Sequence, residues 1–448
     1  MLKEAILKAK TSGKIKVVNI ILIASAFVWY FYAFNFLRNA IEEAKFSSFE
    51  TLAIYGINFL GIAASALLSA SLIHRFKRRI TFLRYWLLGG VILSLTPLVI
   101  DTTTLSALSI VAAVLGVYFG LGMPICMGYY AATTDTKNRA GTGGIIFLLN
   151  GLGFFLLSSV EIHDVATTAL ILATLRIIGL ITLVVLKPEE KQIKNNEKIS
   201  YSNIVSNRSF LLYFIPWCMF SLVNDLTIEV SYNSFQAEAD LVEVVRYSPI
   251  IESVLAGAFA VIGGFFADLV GRKRLSLMGF ALLGVGYAVL GLLPKSPIGW
   301  WFYTAVDGIA WGVFCTIFLI TIWGDLAHER GIEKYYAIGS LPYLFSNFAQ
   351  LSIGAAAAEI GGVAVFSFAS FFLFLAVLPL IYAPETLPEK QIRENELKSY
   401  IKKAEKEVSK IRKKEDINSK NEKEKENVEI EVNSEELEEI IKKAEKYY

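Results

Sequence analysis

The chain has 448 residues, of which 54% are hydrophobic and 13% aromatic, and its formal net charge is +2 at pH 7. That balance excludes an ordinary soluble protein, lends no support to nucleic-acid binding, and places the chain among membrane proteins. Cys126, Cys218 and Cys315 sit in separate apolar runs without metal-ligand spacing, so neither a disulfide framework nor a metal site is expected.

The N-terminal "MLKEAILKAK" lacks the pattern of a cleavable signal. A helix that crosses a bilayer needs about 20 mostly apolar residues. Twelve runs qualify, at 17–37, 49–73, 80–100, 105–133, 141–160, 165–186, 210–231, 247–268, 273–294, 298–324, 335–358 and 361–383. The expected fold is therefore an all-α membrane protein. Its parts are an N-terminus at 1–16, a six-helix bundle at 17–186, a linker at 187–209, a second six-helix bundle at 210–388 and a charged tail at 389–448. With the gaps numbered alternately and the tail left out, the side of the N-terminus carries 21 Lys/Arg and the other side four. This excess puts both termini in the cytoplasm and the protein in the cell membrane as a multi-pass chain.

Polar residues fall on faces of several runs. Span 1 aligns Ser25, Trp29, Tyr32 and Asn35. Span 2 aligns Thr51, Tyr55, Asn58, Ser65 and Ser69. Span 5 carries Asn150. Span 7 aligns Ser221, Asn224, Asp225 and Tyr232, and span 11 aligns Ser340, Tyr343, Asn347 and Gln350. Such faces point to water or to another helix. Asp225, Glu252 and Asp307 lie inside spans 7, 8 and 10, where a charge costs at least ~3 kcal/mol on insertion scales and so needs a reason. They are candidates for taking up a proton or binding a cationic or hydroxylated solute. Arg176 lies midway through span 6, and no acid lies within a span of the same half. Spans 4, 5 and 10 are rich in glycine, which suits both close packing and rocking of helices.

The halves repeat. Lys77 aligns with Gly271, Asp135 with Asp325, Asn150 with Asn347 and Pro188 with Pro384, at offsets of 194, 190, 197 and 196. Each half has six spans, so the halves run parallel about an axis along the membrane normal. The second half carries "GGFFADLVGRKR" at 263–274, and the first a damaged copy, "SASLIHRFKRR", at 69–79.

With span count, repeat and this loop together, the chain resembles a major facilitator superfamily transporter over about residues 15–390. Gly264, Asp268, Gly271, Arg272 and Lys273 carry the resemblance to that family's loop signature. The damaged copy keeps Arg78 but has His74 in the place of the acid. Asp135 with Arg139, Asp325 with Arg330, and the Pro-Glu elements "KPEEK" and "APETLPEK" resemble its sugar-porter-like branch, although span 7 lacks that branch's glutamine pair. The resemblance implies that spans 1, 2, 4, 5, 7, 8, 10 and 11 line a central cavity while 3, 6, 9 and 12 brace it. Trp29, Asn35, Tyr55, Asn58, Asn150, Asn224, Asp225, Glu252, Asp307, Tyr343, Asn347 and Gln350 are then the candidates for substrate binding or coupling. It also implies a gate, in which Asp268 meets the start of span 5 at Gly141–Gly144 and His74 faces the start of span 11 near Ala337–Gly339.

The three histidines lie in or beside loops, and no GxxxxGK[ST] loop occurs, so an ATP-driven pump and soluble-enzyme chemistry are not expected, nor is any cofactor. The tail is rich in Lys and Glu, places Leu397, Tyr400, Ile401, Ala404, Val408 and Ile411 on one face, and repeats "IKKAEK" at 401–406 and 441–446. It suits self-association, a cytosolic partner or docking on the membrane surface. The expected function is secondary transport of a small organic solute, a sugar or organic acid, by proton symport or uniport. The alternatives are an exporter of amphipathic compounds and a non-transporting membrane sensor that signals through its tail.

Overall fold

Apolar runs closed by capping residues become helices, and the computed structural model contains no strand among the described residues, which are 2–76, 78–100, 102–158, 164–188, 199–237, 241–328, 330–358, 362–395 and 397. The first half holds α1 (Leu2–Ala44), α2 (Ser48–Leu72), α3 (Arg79–Leu93), α4 (Leu105–Thr133), α5 (Arg139–Ser158) and α6 (Val165–Leu186). A short helix, α7 (Tyr201–Val205), lies in the linker. The second half begins with α8 (Arg208–Ala237), α9 (Val242–Val270), α10 (Arg272–Leu292) and α11 (Pro297–Phe314). A π-helical stretch, Cys315–Thr321, joins α11 to α12 (Ile322–Leu326), and α13 (Ile332–Gly339), α14 (Leu341–Ala358) and α15 (Gly362–Tyr382) complete the half. Ten helical segments of the described residues are long and apolar enough to cross a membrane. Helix α5 and the pair α13–α14 stand where spans 5 and 11 are expected.

Local chemistry sets the ends. Ser47 and Glu50 form a reciprocal capping box at the start of α2, with Ser47 N donating to Glu50 at 2.8 Å. Asp164 accepts from Thr167 N at 2.8 Å and opens α6; this bond and that of the Thr167 hydroxyl hold its carboxyl below the usual carboxylate range. Two expectations of unbroken helix are corrected. Span 11 breaks at Ser340, because Pro342 has no N–H to continue the ladder. Span 10 widens into the π-helical stretch, where the Thr321 hydroxyl donates to the Thr316 carbonyl at 2.7 Å.

The halves repeat helix by helix. In the first, α1 packs on α5 and α6, α2 on α4, and α3 on α4 and α6. In the second, α8 packs on α14 and α15, α9 on α11, and α10 on α11 and α15. Two seams join the halves, α5 against α9 and α2 against α13 and α14, and they exchange under the same repeat. Helices α6, α10 and α15 turn Val184, Val185, Met278, Phe368 and Phe371 outward, an apolar exterior suited to lipid.

The chain forms two compact units, residues 1–388 and 389–448. Residues 389–395 of the second are helical, with Glu389 paired to Arg393 at 2.6 Å. The expected apolar stripe beyond Leu397 and both "IKKAEK" copies lie outside the described residues.

Candidate functional site

A cavity of about 190 Å³ lies between the halves. Phe27 and Phe31 of α1, Phe147 and Asn150 of α5, Trp311 of α11, Cys315 and Leu319 of the π-helical stretch and Tyr343 of α14 line it. A neighbouring space of about 40 Å³ shares Phe27, Leu319 and Tyr343 and adds Tyr30, Phe119, Met127, Tyr336 and Ser340. Aromatic rings therefore form most of the wall. Tyr30 stacks on Phe119 with centroids 4.3 Å apart, and Phe59 stacks on Phe348 across the α2–α14 seam at 5.6 Å.

Polar groups are few. Asn150 is buried, and its Oδ1 has no hydrogen-bond partner. Behind the wall Trp311 Nε1 donates to Asn224 Oδ1 at 2.9 Å, and Asn224 Nδ2 donates to Asp225 Oδ1 at 3.3 Å. Ser346 of α14 donates to Asp225 Oδ2 at 2.6 Å. These bonds knot α8, α11 and α14 together. Asp307 is buried beside Tyr303, with Oδ1 unpartnered, and lies near half-buried Glu252. Helices α9 and α11 touch there, since a Cβ on Gly308 would press on the Glu252 backbone.

Several expected cavity residues face elsewhere. Trp29 is fully buried inside the first half, donating to Ser94 Oγ at 2.9 Å, so the polar face of span 1 is a packing face and its aromatic side meets the cavity. Asn58 donates to the Ala112 carbonyl at 2.8 Å and joins α2 to α4, touching only a gap of about 10 Å³. Tyr55 is buried against Phe34, with centroids 5.3 Å apart. Asn35 and Gln350 are half-buried and line neither space. The side chains of Asn347 and Tyr232 lie outside the described residues.

The end of the molecule that carries the 75–79, 137–139, 272–274 and 330–334 clusters, here called the basic end, is closed. Asp268 of α9 accepts from Ala140 N at 3.2 Å and Gly141 N at 2.7 Å, the first amides of α5. A helix start offers free amides and a positive dipole end to such a carboxylate. Arg272 Nη2 donates to Asp268 Oδ1 at 2.8 Å, and Arg272 Nε to Asp325 Oδ2 at 3.0 Å. Arg139 of α5 donates to Asp325 Oδ1, and the Thr386 hydroxyl to Oδ2 at 3.2 Å. Asp325 is thus a buried hub joining both halves. Beside it, Glu385 of "APETLPEK" accepts from the Arg272 and Lys273 amides at 2.9 and 3.1 Å and caps α10, while Lys273 Nζ donates to the Ile381 carbonyl at 2.7 Å. Gly271 has φ of 107°, and a Cβ there would run into the Glu385 carboxylate, so the signature glycine is required twice over. Gly264 lets α9 approach the Ala140 backbone.

The first half closes by another route. Arg79 Nε donates to Glu333 Oε1 of α13 at 2.5 Å, and both side chains are buried. Arg79, one position past Arg78, thus makes a contact with the start of span 11. Arg78, Asp135 and Arg330 are exposed, and His74 is half-buried. Lys334 lies 5.0 Å over the Tyr201 ring and donates to the Ile199 carbonyl at 2.8 Å; the Tyr201 hydroxyl meets the Leu67 carbonyl and Ser71. Burial pushes the Tyr201 phenol above its ordinary value, partly offset by Ser71. Sequence reasoning missed Tyr30, Ser346, Arg79 and Glu333. Only Glu333 left a signal, as an acid amid the basic clusters.

No family model and no curated protein matches the chain. Solved structures do. A proton:xylose symporter of the major facilitator superfamily, bound to 6-bromo-6-deoxy-D-glucose, matches with a TM-score of 0.63 at 15% identity, over 84% of this chain and 97% of its own. A bacterial homologue of the iron transporter ferroportin, in an outward-facing state, matches with 0.63 at 14% identity, over 83% and 98%. The human organic anion transporter TETRAN matches with 0.57 at 14% identity, over 82% and 99%. The chain has the major facilitator fold.

Proposed function

We propose that the chain is a secondary transporter that moves a small organic solute across the cell membrane by alternating access, with both termini in the cytoplasm. The observation that carries this reading is a cavity between two repeated bundles whose basic end is closed by buried ion pairs that join the halves. Ion pairs with helix-end contacts suit a seal that opens and closes. On this reading the conformation here is closed toward the cytoplasm. Three solute classes appear on similar folds, so the fold does not choose the cargo.

The wall favours a solute with an aromatic or aliphatic body and a small polar or cationic head. A sugar needs several converging donors and acceptors, and the larger cavity offers chiefly Asn150 and Tyr343, with Asp225 behind them. The exporter of amphipathic compounds therefore gains on the sugar or organic-acid symporter. Asp225, Glu252 and Asp307 are the groups proposed to couple transport to protons. Counterflow of a radiolabelled panel of sugars, organic acids and aromatic amines in proteoliposomes tests both points. Accelerated exchange of amines but not sugars is expected. Binding without flux for every solute would replace the transporter with the sensor. Full protonophore-sensitive uptake in both Asp225→Asn and Asp307→Asn would remove these residues from coupling.

A further inference from the structure

Arg176 sits midway along α6 with no exposed surface. One guanidinium nitrogen, Nη2, donates to the Ser25 carbonyl of α1. Nε and Nη1 are buried without a hydrogen-bond partner. Trp29 and Trp86 cover the group, with their ring centroids 5.4 and 5.3 Å from its central carbon. Both indoles are held in place, Trp29 by Ser94 and Trp86 by the Tyr118 carbonyl at 2.8 Å. The Tyr118 ring packs against both indoles, and its buried hydroxyl lies beside the Arg176 guanidinium without a well-formed bond. The rings cover the faces of the cation, and the neutral Tyr118 hydroxyl lies within reach of its N–H groups without forming a full hydrogen bond.

The charge has no acid to meet. No Asp or Glu occurs in residues 5–41, 51–100, 102–134, 136–160 or 165–188, so the acids of this half stand at helix ends and in loops. An arginine does not escape by losing its proton, as a lysine or histidine does. Aromatic faces attract a cation but do not neutralise it. A buried cation with two open donors on one edge calls for a negative partner that accepts both.

We propose that the Nε–Nη1 edge of Arg176 binds a small inorganic anion of the charge and size of chloride inside the first helical bundle. The site is independent of the cavity and of the proposed transport. The anion would hold α1, α3, α4 and α6 together around one charge, so it would act first on the stability of this bundle.

The test uses the purified full-length protein in detergent, with sodium gluconate exchanged for sodium chloride at constant sodium and ionic strength. A saturable rise in melting temperature of about 2–4 °C is expected in chloride. Arg176→Gln should abolish the chloride dependence. Arg176→Lys, which keeps the charge and loses the fork, should need at least about tenfold more chloride. Bromide should quench tryptophan fluorescence in a saturable way that Trp86→Phe diminishes. Equal melting in chloride and gluconate would overturn the proposal and leave water as the occupant. A chloride effect retained in Arg176→Gln would place the anion elsewhere and overturn it as well. The chloride titration of the unaltered chain decides the matter even if the variants fail to fold.

Discussion

Asp135 and Asp325 hold matching places in the two halves, 190 residues apart, yet Asp135 is exposed while Asp325 takes hydrogen bonds from two arginines and a threonine. The seams around them are alike: α5 lies on α9 as α2 lies on α13 and α14. What differs is the charge each seam carries. One half sends an acid, Asp268, to a helix start and pairs it with Arg272. The other sends a cation, Arg79, to an acid in the first turn of α13. The comparison teaches that a repeat keeps its backbone contacts while its electrostatics diverge. Each seam needs only attraction, and the sign is free.

The strongest way to break the comparison is Asp325→Asn. It leaves Arg139 and Arg272 buried against a neutral amide, at a cost of roughly 3–5 kcal/mol. A cysteine placed at Ala66 should then label faster from the basic side in membrane vesicles. Unchanged labelling would mean that Asp325 does not hold the closure. Next comes the pair Arg79 and Glu333. Arg79→Glu should open the first seam by a similar mechanism, and adding Glu333→Arg should restore most of the closure. If the double variant labels as fast as the single one, the sign of this seam is not free. Gly271→Ala should cost about 1–3 kcal/mol, because it combines a positive φ with crowding of Glu385. Thermal unfolding measures it, and a loss below a few tenths of a kcal/mol would show that the strain relaxes. Tyr201→Phe is the mildest change. It removes bonds to Leu67 and Ser71 and should cost about 0.5–1.5 kcal/mol. Because the folded phenol titrates above its ordinary value, the contribution of Tyr201 is present at neutral pH and lost as pH rises through that raised value. The variant and the parent should therefore converge in alkaline buffer.

Helix positions were readable in advance because lipid demands long apolar runs, and the parallel repeat because Asn150, Pro188 and their partners keep one spacing. The face of span 1 was not readable. Phe27, Trp29, Tyr30, Phe31, Tyr32 and Phe34 encircle it, and polar atoms that mark one side are used up, Trp29 Nε1 by Ser94 and Ser25 Oγ by the Leu22 carbonyl. Periodicity finds polar faces, and here the polar face is glue. The π-helical stretch was equally hidden, since one added residue in a turn leaves no compositional trace. Arg79 was missed because alignment counts positions along the chain, and a shift of one residue around a helix turns a side chain by about 100°.

Glu385 adds a mechanical consequence. It ties the exit of α15 to the first amides of α10 through Arg272 N and Lys273 N. The charged tail begins only four residues later, at 389. The same carboxylate abuts Gly271, next to the arginine that grips Asp325. One carboxylate thus works as a clip that fastens the exit of α15 to the start of α10 beside the Asp325 hub, without passing through the cavity.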